Sequence, residues 1–388
     1  MISHIFKLIW NRKRQNSLLI LEIFFAFLIL FGVLGFVFFN LDKYRQPLGF
    51  DCENTWVVYI SIPMGADSAQ VANTQKQVKS ALKQLPEIEQ LSYSSNITPF
   101  SNSSSVTANH LSGFDLQTWL CEVDEDFAET MGLKLVAGHW PNKADYAGKY
   151  QPIVVNQLLL DTYFKDSSMV GKIVPIDGEN IIVGVVEHYK YWGEFEKENP
   201  LTFLPLSGRD IQNIALSIRL VPGTPAEFEE KLNQTIRNIA KDWEFVIEHY
   251  ETRRIRSSRE TWVPVIAMLV ICVFLLLNIA MGLFGVLIYN VNRRRSEIGL
   301  RMAMGASSGS IVRQFMLELF FLTGLGLVMG VFFAVQVPLL KILDVPVSIY
   351  FYAGLVAIVI IFTLVGICTF YPSKQASHIQ PAIALHEE

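Results

Sequence analysis

Charge is scarce in this chain. Only 18% of its 388 residues are Asp, Glu, Lys or Arg, and they sum to a net −4. A chain with so little basic excess has no overall footprint for nucleic acid. Cysteine is scarcer still, with four residues and no C-x-x-C. Cys272 and Cys368 sit inside apolar runs and read as small buried hydrophobes. Cys52 and Cys121 fall in the polar region, where an oxidising compartment would permit a pair that their spacing does not demand. The marks of metal and nucleophile chemistry are also missing. Seven histidines make no H-E-x-x-H and no pair at metal-ligand spacing, and there is no G-x-S-x-G. Gly171-Lys172 resembles the end of a phosphate loop, but Asp166 stands where the leading glycine belongs and strand composition follows. Asp124-Glu125-Asp126 reads as a solvated turn rather than an acid/base pair. No cleavable leader is evident, because the first apolar run, of about 22 residues, exceeds a signal h-region and no small-residue cleavage site follows. With no catalytic set, metal site or cofactor site, the energy for any task is expected from another subunit.

Apolar residues are what the chain has in excess: they make up 51% of it, and the mean hydropathy is +0.33. Four runs, Leu18 to Phe39, Trp262 to Tyr289, Phe315 to Val337 and Ile349 to Phe370, each exceed the roughly 20 residues an α-helix needs to cross a bilayer. Lys7, Arg12, Lys13 and Arg14 precede the first, and Arg293, Arg294, Arg295, Arg301 and Arg313 lie between the second and third. The positive-inside rule therefore puts residues 1–17, the 290–314 loop and the 371–388 tail in the cytoplasm. The short 338–348 loop, with Lys341 beside Asp344, faces outward. Arg253, Arg254, Arg256 and Arg259 oppose the rule on the outer side, where long translocated domains obey it poorly. Within the spans, Glu22 lies about one turn inside the first, at a depth that suits snorkelling to the interface. Gly326 and Gly330, preceded by Gly324, form a small-xxx-small pair in the third.

Residues 40–261 are too many for a loop and imply a folded outer domain. Strand composition at 56–62, a helical stretch at 68–85, and then a strand, a helix and a strand over 214–220, 225–241 and 245–247 give two βαβ-like units. Between them, at about 120–206, lies a strand-rich insert in which Asp177-Gly178 marks a hairpin turn. Ser92 to Ser105 reads as a flexible loop, and Glu187 to Gly193 as a surface loop or a partner contact. The expected fold is thus an α-helical membrane protein with four transmembrane helices (1+3) and a large α+β extracytoplasmic domain, ferredoxin-like with an inserted small β subdomain. Residues 251–260 run into the second span with no glycine or proline before Pro264, so Arg253, Arg254, Arg256 and Arg259 are candidate stalk residues for transmitting motion.

The 293–306 segment is the most informative. Glu297 and Arg301 have the favourable i,i+4 order, Ile298, Met302 and Gly305 fall near one face, Gly305 suits a C-terminal cap, and Ser307 or Ser308 suits the next N-cap. Physics alone leaves a surface anchor and a partner-docking helix open. Glu297-Ile298-Gly299-Leu300-Arg301 with Gly305-Ala306 resembles the signature of the FtsX/MacB-like ABC permeases. So do Tyr371-Pro372, Ala376 and Pro381-Ala382-Ile383-Ala384-Leu385 at the end, and Phe127, Met131-Gly132-Leu133, Gly138, Pro152 to Asn156, Val170-Gly171-Lys172 and Ile182 to Val186 in the outer domain. Met302 and His386 depart from basic residues usual there. The resemblance implies a permease subunit in the bacterial inner membrane, its large domain in the periplasm. Its partners would be a separate ABC ATPase and a second permease copy, as homodimer or paired heterodimer, with membrane lipid around it. Arg295, Glu297, Ile298, Gly299, Arg301, Met302 and Gly305 would couple to the ATPase. Efflux by mechanotransmission, with a periplasmic adaptor and outer-membrane duct, is the implied role. Lipoprotein release and FtsX-type control of wall hydrolases are alternatives within the family, and an ATPase-independent sensor or scaffold is the alternative outside it.

Overall fold

The computed structural model describes residues 13–101, 103–109, 116–164, 169–206, 212–341 and 345–376. Lys7, Arg12, Asp166, Asp344 and the closing stretch from Pro381 to His386 lie outside the described residues. In chain order, the first elements are helix α1 (Lys13–Arg45), strand β1 (Thr55–Ser61), α2 (Ser68–Leu82), β2 (Ile88–Ser95), β3 (Val106–Asn109), β4 (Leu116–Val123), α3 (Phe127–Met131) and β5 (Leu135–Gly138). Next come β6 (Gln151–Asn156), α4 (Gln157–Tyr163), β7 (Ile173–Pro175), β8 (Glu179–Val186), β9 (Leu201–Pro205), β10 (Asn213–Leu220), α5 (Phe228–Ile239) and β11 (Glu244–His249). The chain continues as α6 (Tyr250–Arg293), α7 (Arg295–Ala303), α8 (Ser308–Leu339) and α9 (Val347–Ala376). It divides into two compact units, Met1–Asp42 with Trp262–Glu388, and Lys43–Thr261.

In the first unit α1, α6, α8 and α9 are long and apolar enough to cross a membrane, and each contains one of the expected spans. Lipid gives apolar side chains no reason to leave it, so such helices associate through close packing. Ile23 and Phe27 of α1, Leu283 and Leu287 of α6, Leu319 and Leu322 of α8 and Ala353 and Ala357 of α9 make one buried cluster. The Gly326/Gly330 pair does what its spacing suggests. A Cβ on Gly326 would lie 3.0 Å from the Ile20 carbonyl oxygen, and one on Gly330 2.4 Å from Phe27 Cδ1. Ala353 and Ala357, four apart and both fully buried, are a second small pair, on α9. Threonines within these helices turn on their own backbone, Thr323 Oγ1 donating to the Leu319 carbonyl at 2.8 Å and Thr363 Oγ1 to the Val359 carbonyl at 2.7 Å.

In the second unit the ferredoxin-like expectation is met. Strands run β11-β1-β10-β2, every pair antiparallel. Trp56, Val58 and Ile60 alternate on the face covered by α2 and α5, meeting Val71, Val78, Leu82, Leu232 and Ile236. The inserted strands continue as β4-β9-β6-β8-β5, with β3 beside β4 and β7 beside β8, so among the described residues one 11-stranded sheet spans the domain. β4 with β9 and β6 with β8 are parallel. β8 is apolar nearly throughout because both its faces are covered: Ile182 and Val185 meet Leu159 and Leu160 of α4, and Val183 and Val186 meet Phe127 and Tyr189. Asp177 and Gly178 both have positive φ, 51° and 113°, and close the β7–β8 hairpin.

Three loop expectations are corrected. Ser92 to Ser95 belong to β2, inside the sheet, with Ser92 and Ser94 fully buried. Serine has low strand propensity, but Leu91 and Tyr93 alternate with it and bury on the helix face, so packing overrides composition. Asp124 and Asp126 are not a solvated turn. Asp124 accepts from the Tyr93 amide at 2.9 Å and from Lys79 at 2.5 Å, and Asp126 pairs with Lys79 and Lys83 at 2.9 and 3.0 Å. These contacts tie α2 to the end of β4. The segment Glu187 to Gly193 is no surface loop, because Tyr189 and Tyr191 are buried in the core. Cys52 and Cys121 are free and buried.

The glycine contact gives the first prediction. Gly330→Val should destabilise the chain by about 1–3 kcal/mol through overpacking against Phe27, measured by unfolding in detergent, and Phe27→Ala in the same chain should recover part of the loss.

Candidate functional site

Two places in the structure carry the residues singled out from sequence. The first is α7. Its backbone breaks from α6 at Arg294, which is non-helical at φ −103°. It ends at Gly305 with φ +94°, a left-handed conformation that glycine alone adopts without cost. The Gly305 amide donates to the Met302 carbonyl and the Ala306 amide to the Arg301 carbonyl, both at 3.0 Å. That is the paired closure of a Schellman cap. Ser307 then takes the N-cap position of α8 without a side-chain hydrogen bond.

Ile298 and Met302 point inward, packing with Val291, Ile311 and Phe315, and Gly299 is buried beside them. Arg301 donates to Gln314 Oε1 of α8 at 2.7 Å. The side chains of Arg295 and Glu297 lie outside the described ones, and with them the expected Glu297–Arg301 pair. Among the coupling residues, then, Ile298 and Met302 fasten the helix rather than present it. Among the described side chains, two exposed apolar residues were passed over by the sequence reading: Leu300 is 51% exposed and Met304 72%. Their signal was there, since helical geometry puts Leu300 two positions from both inward residues and so on the far side. Arg294 was also passed over as a site residue. It is 7% exposed and forms a two-pronged ion pair with Glu318 of α8, at 2.9 and 3.1 Å.

The second place is the base of the outer domain, where α1 enters and α6 leaves. Segment 188–198 binds both. Glu198 orders it from one end, accepting from the Tyr189 amide at 3.0 Å and meeting His188 Nδ1 at 2.9 Å. Lys190 is 3% exposed. Its ammonium donates to the carbonyl of Glu194 at 2.7 Å and to that of Lys43 at 3.3 Å. Burial pushes the lysine pKa down, and neighbouring Lys43 adds to it. Tyr44 stacks on Phe195, ring centroids 5.8 Å apart. On the α6 side, Glu194 is 2% exposed and pairs with Arg254, whose Nη1 also lies 3.8 Å from Cys52 Sγ. Arg253 caps the core beside it: its guanidinium sits over the Tyr59 ring at 4.8 Å, bonds the Phe100 carbonyl at 3.2 Å and meets Glu248 at 3.3 Å. Tyr250 OH and Ser217 Oγ share a buried hydrogen bond at 2.9 Å. Of the four stalk arginines, Arg253 and Arg254 are therefore anchors in the domain, while Arg256 and Arg259 are exposed.

Comparison with known proteins places both regions in context. The family model of the MacB-like periplasmic core domain matches residues 18–235, and that of the FtsX-like permease C-terminal matches residues 268–381. The "Macrolide export ATP-binding/permease protein MacB" of Bartonella quintana is 25% identical over 317 residues, covering 78% of this chain and 47% of that protein. Its counterpart in Rhodopseudomonas palustris is 25% identical over 378 residues, covering 93% and 57%. The chain thus spans about half the length of the curated relatives it matches. Among solved structures, the periplasmic region of MacB from Actinobacillus actinomycetemcomitans aligns with a TM-score of 0.37 and 18% identity, over 56% of this chain and 98% of that one.

The buried network at the domain base generates a prediction. Cys52 lies under Arg254 and its thiol pKa is raised by burial. Glu194→Gln should free Arg254 and cost about 1–3 kcal/mol of stability, less if solvent screens the cation. Local opening by about 1.4 kcal/mol would make Cys52 alkylate about tenfold faster. Cys121, fully buried and held to the Ile97 carbonyl, is the internal control and should stay unreactive.

Proposed function

Because the chain belongs to the MacB- and FtsX-like ABC permeases, we propose that it is the membrane subunit of an ABC system whose ATP hydrolysis resides on a separate subunit, and that it passes the motion of that ATPase to its outer domain. The observation that carries this reading is the construction of α7. One face is locked to α8 by Ile298, Met302 and Arg301, the end is fixed by Gly305, and Leu300 and Met304 stand free on the other side. A helix used only as a membrane anchor gains nothing from being pinned so firmly to a neighbouring span. A helix that receives a push from a protein partner requires it, and exposed Leu and Met are the side chains such a partner buries.

The arginines at 293–301 and 313 favour a cytoplasmic α7, and with it an outer domain in the periplasm and a chain in the inner membrane. The chain enters the outer domain from α1 and leaves it through α6, and segment 188–198 contacts Lys43 and Tyr44 of the one and Arg254 of the other. That favours mechanical transmission over a channel. A second copy completes the system, as homodimer or paired heterodimer. Export is the role that the relatives' names favour, and in this reading the substrate is already outside the inner membrane and is handed to an adaptor and outer-membrane duct.

Two measurements test this. Leu300→Asp with Met304→Asp should weaken ATPase association by at least about 2 kcal/mol, as loss of a central apolar contact does, with membrane insertion intact. Unchanged co-purification and unchanged ATP-driven activity would reduce α7 to an anchor. Separately, single cysteines at Thr252 or Ile255, both exposed, in a chain without its native cysteines should crosslink two copies. The crosslink should block activity and a reductant should restore it, and full activity in the crosslinked dimer would refute transmission through α6.

A further inference from the structure

A helix that takes a push transmits it only through whatever holds it. The covalent route from α7 runs through Arg294, which leaves helical geometry (φ −103°, ψ 15°) and separates α6 from α7, while its amide and carbonyl stay bonded to Val291 and Ile298. A second, non-covalent route runs to α8. Arg294 Nη1 donates to Glu318 Oε2 at 2.9 Å and Nη2 to Oε1 at 3.1 Å, while the guanidinium lies over the Phe315 ring at 5.8 Å. Glu318 falls inside the third span, where an ion is tolerated only with a partner. Its side chain is 15% exposed against 7% for Arg294. The planar fork of arginine matches a carboxylate in two bonds and fixes the angle between the groups, which a lysine ammonium does not. A buried pair of this kind contributes little net stability over an apolar replacement. What it supplies is a fixed geometry.

We infer that Arg294 and Glu318 are positioning residues that lock α7 to α8, so that the cytoplasmic helix and the third span move as one body. The path then continues without side-chain polarity. Farther along α8, Gly326 and Gly330 bring its backbone against Ile20, Ile23 and Phe27 of α1. Motion received at Leu300 and Met304 thus leaves through the third span into the first, and α1 carries it to Lys43. The inference rests on the reading of α7 as the docking helix for its last step, but not for the lock itself.

The lock is tested on the full chain in lipid nanodiscs with no ATPase present. Spin labels at Ala303→Cys in α7 and Val328→Cys in α8, both exposed, in a chain without native cysteines should give one narrow distance. Arg294→Lys and Glu318→Gln should each broaden it, and the exchanged pair Arg294→Glu with Glu318→Arg should narrow it again, which separates a lost lock from a misfolded chain. Labels that stay narrow in Arg294→Lys and Glu318→Gln overturn the inference. With the ATPase added, the same two single variants should lose about tenfold in ATP-driven activity, within the usual range of coupling energies, and the exchange should restore it. Full activity despite broadened labels also overturns it. Failure of the unaltered chain to bind the ATPase would refute the docking reading instead, and the label result stands apart from it.

Discussion

One buried ammonium organises the junction where the chain enters and leaves its outer domain. Lys190 is almost fully enclosed, so its charge must be met by acceptors or it would not be tolerated. One of these is the carbonyl of Lys43, near the end of α1. That carbonyl also accepts from the Gln46 amide at 3.2 Å, and the last carbonyls of a helix carry its negative pole. A cation placed there answers that pole. The other is the Glu194 carbonyl, and the side chain of that same residue holds Arg254 near the start of α6. A short run of residues therefore satisfies the end of one helix and the beginning of another. Tyr189 and Tyr191 of the same segment are buried with Phe203 in one core cluster.

The same logic recurs at the other end of α6. Arg294 and Glu318 are also a charged pair at a point where one helix stops and another starts. In both places a buried ion pair joins segments distant in sequence, Glu194 to Arg254 and Arg294 to Glu318. Apolar contacts alone, such as Ile298 against Phe315, would hold the elements together while allowing them to rotate about one another. The directional bonds of arginine select one angle.

Much of this architecture is legible in the sequence. Long apolar runs have few alternatives, so each expected span lies within one of the four long apolar helices. The strand-helix-strand units at both ends of the domain are local patterns, and their antiparallel interleaving follows from the ferredoxin-like arrangement they suggested. Asp177-Gly178 and Gly305 were readable because positive φ selects residue type. The misses share a cause. Ser92 to Ser95, Asp124 and Tyr189 to Tyr191 were judged by local polarity, which reports how a segment would behave alone in water. Each is buried by elements distant in sequence: β10 and β4 around the serines, Lys79 around Asp124, and β9 and α3 around the tyrosines. Arg294 and Glu318 were illegible for the same reason, being 24 residues apart, with nothing in either's neighbours to announce the other. Within α7 the periodicity was correct. It marked Ile298 and Met302 as one face, but an amphipathic pattern does not say whether the apolar face meets a partner or the chain's own core.

The pairing of β1 with β11 bears on what the outer domain can withstand. Trp56 lies opposite His249, and Ser61 opposite Glu244, so α1 leads into β1 at the same edge from which β11 leads out to α6. A load that drew these two connectors apart would act across the ladder from one end and peel its hydrogen bonds one after another, the direction in which a pair of strands resists least. A load that displaced both connectors together would leave every bond in the ladder untouched. Segment 188–198 contacts Lys43 and Arg254 near the end of the ladder where such peeling would begin, and so covers the seam that unequal pulling would open.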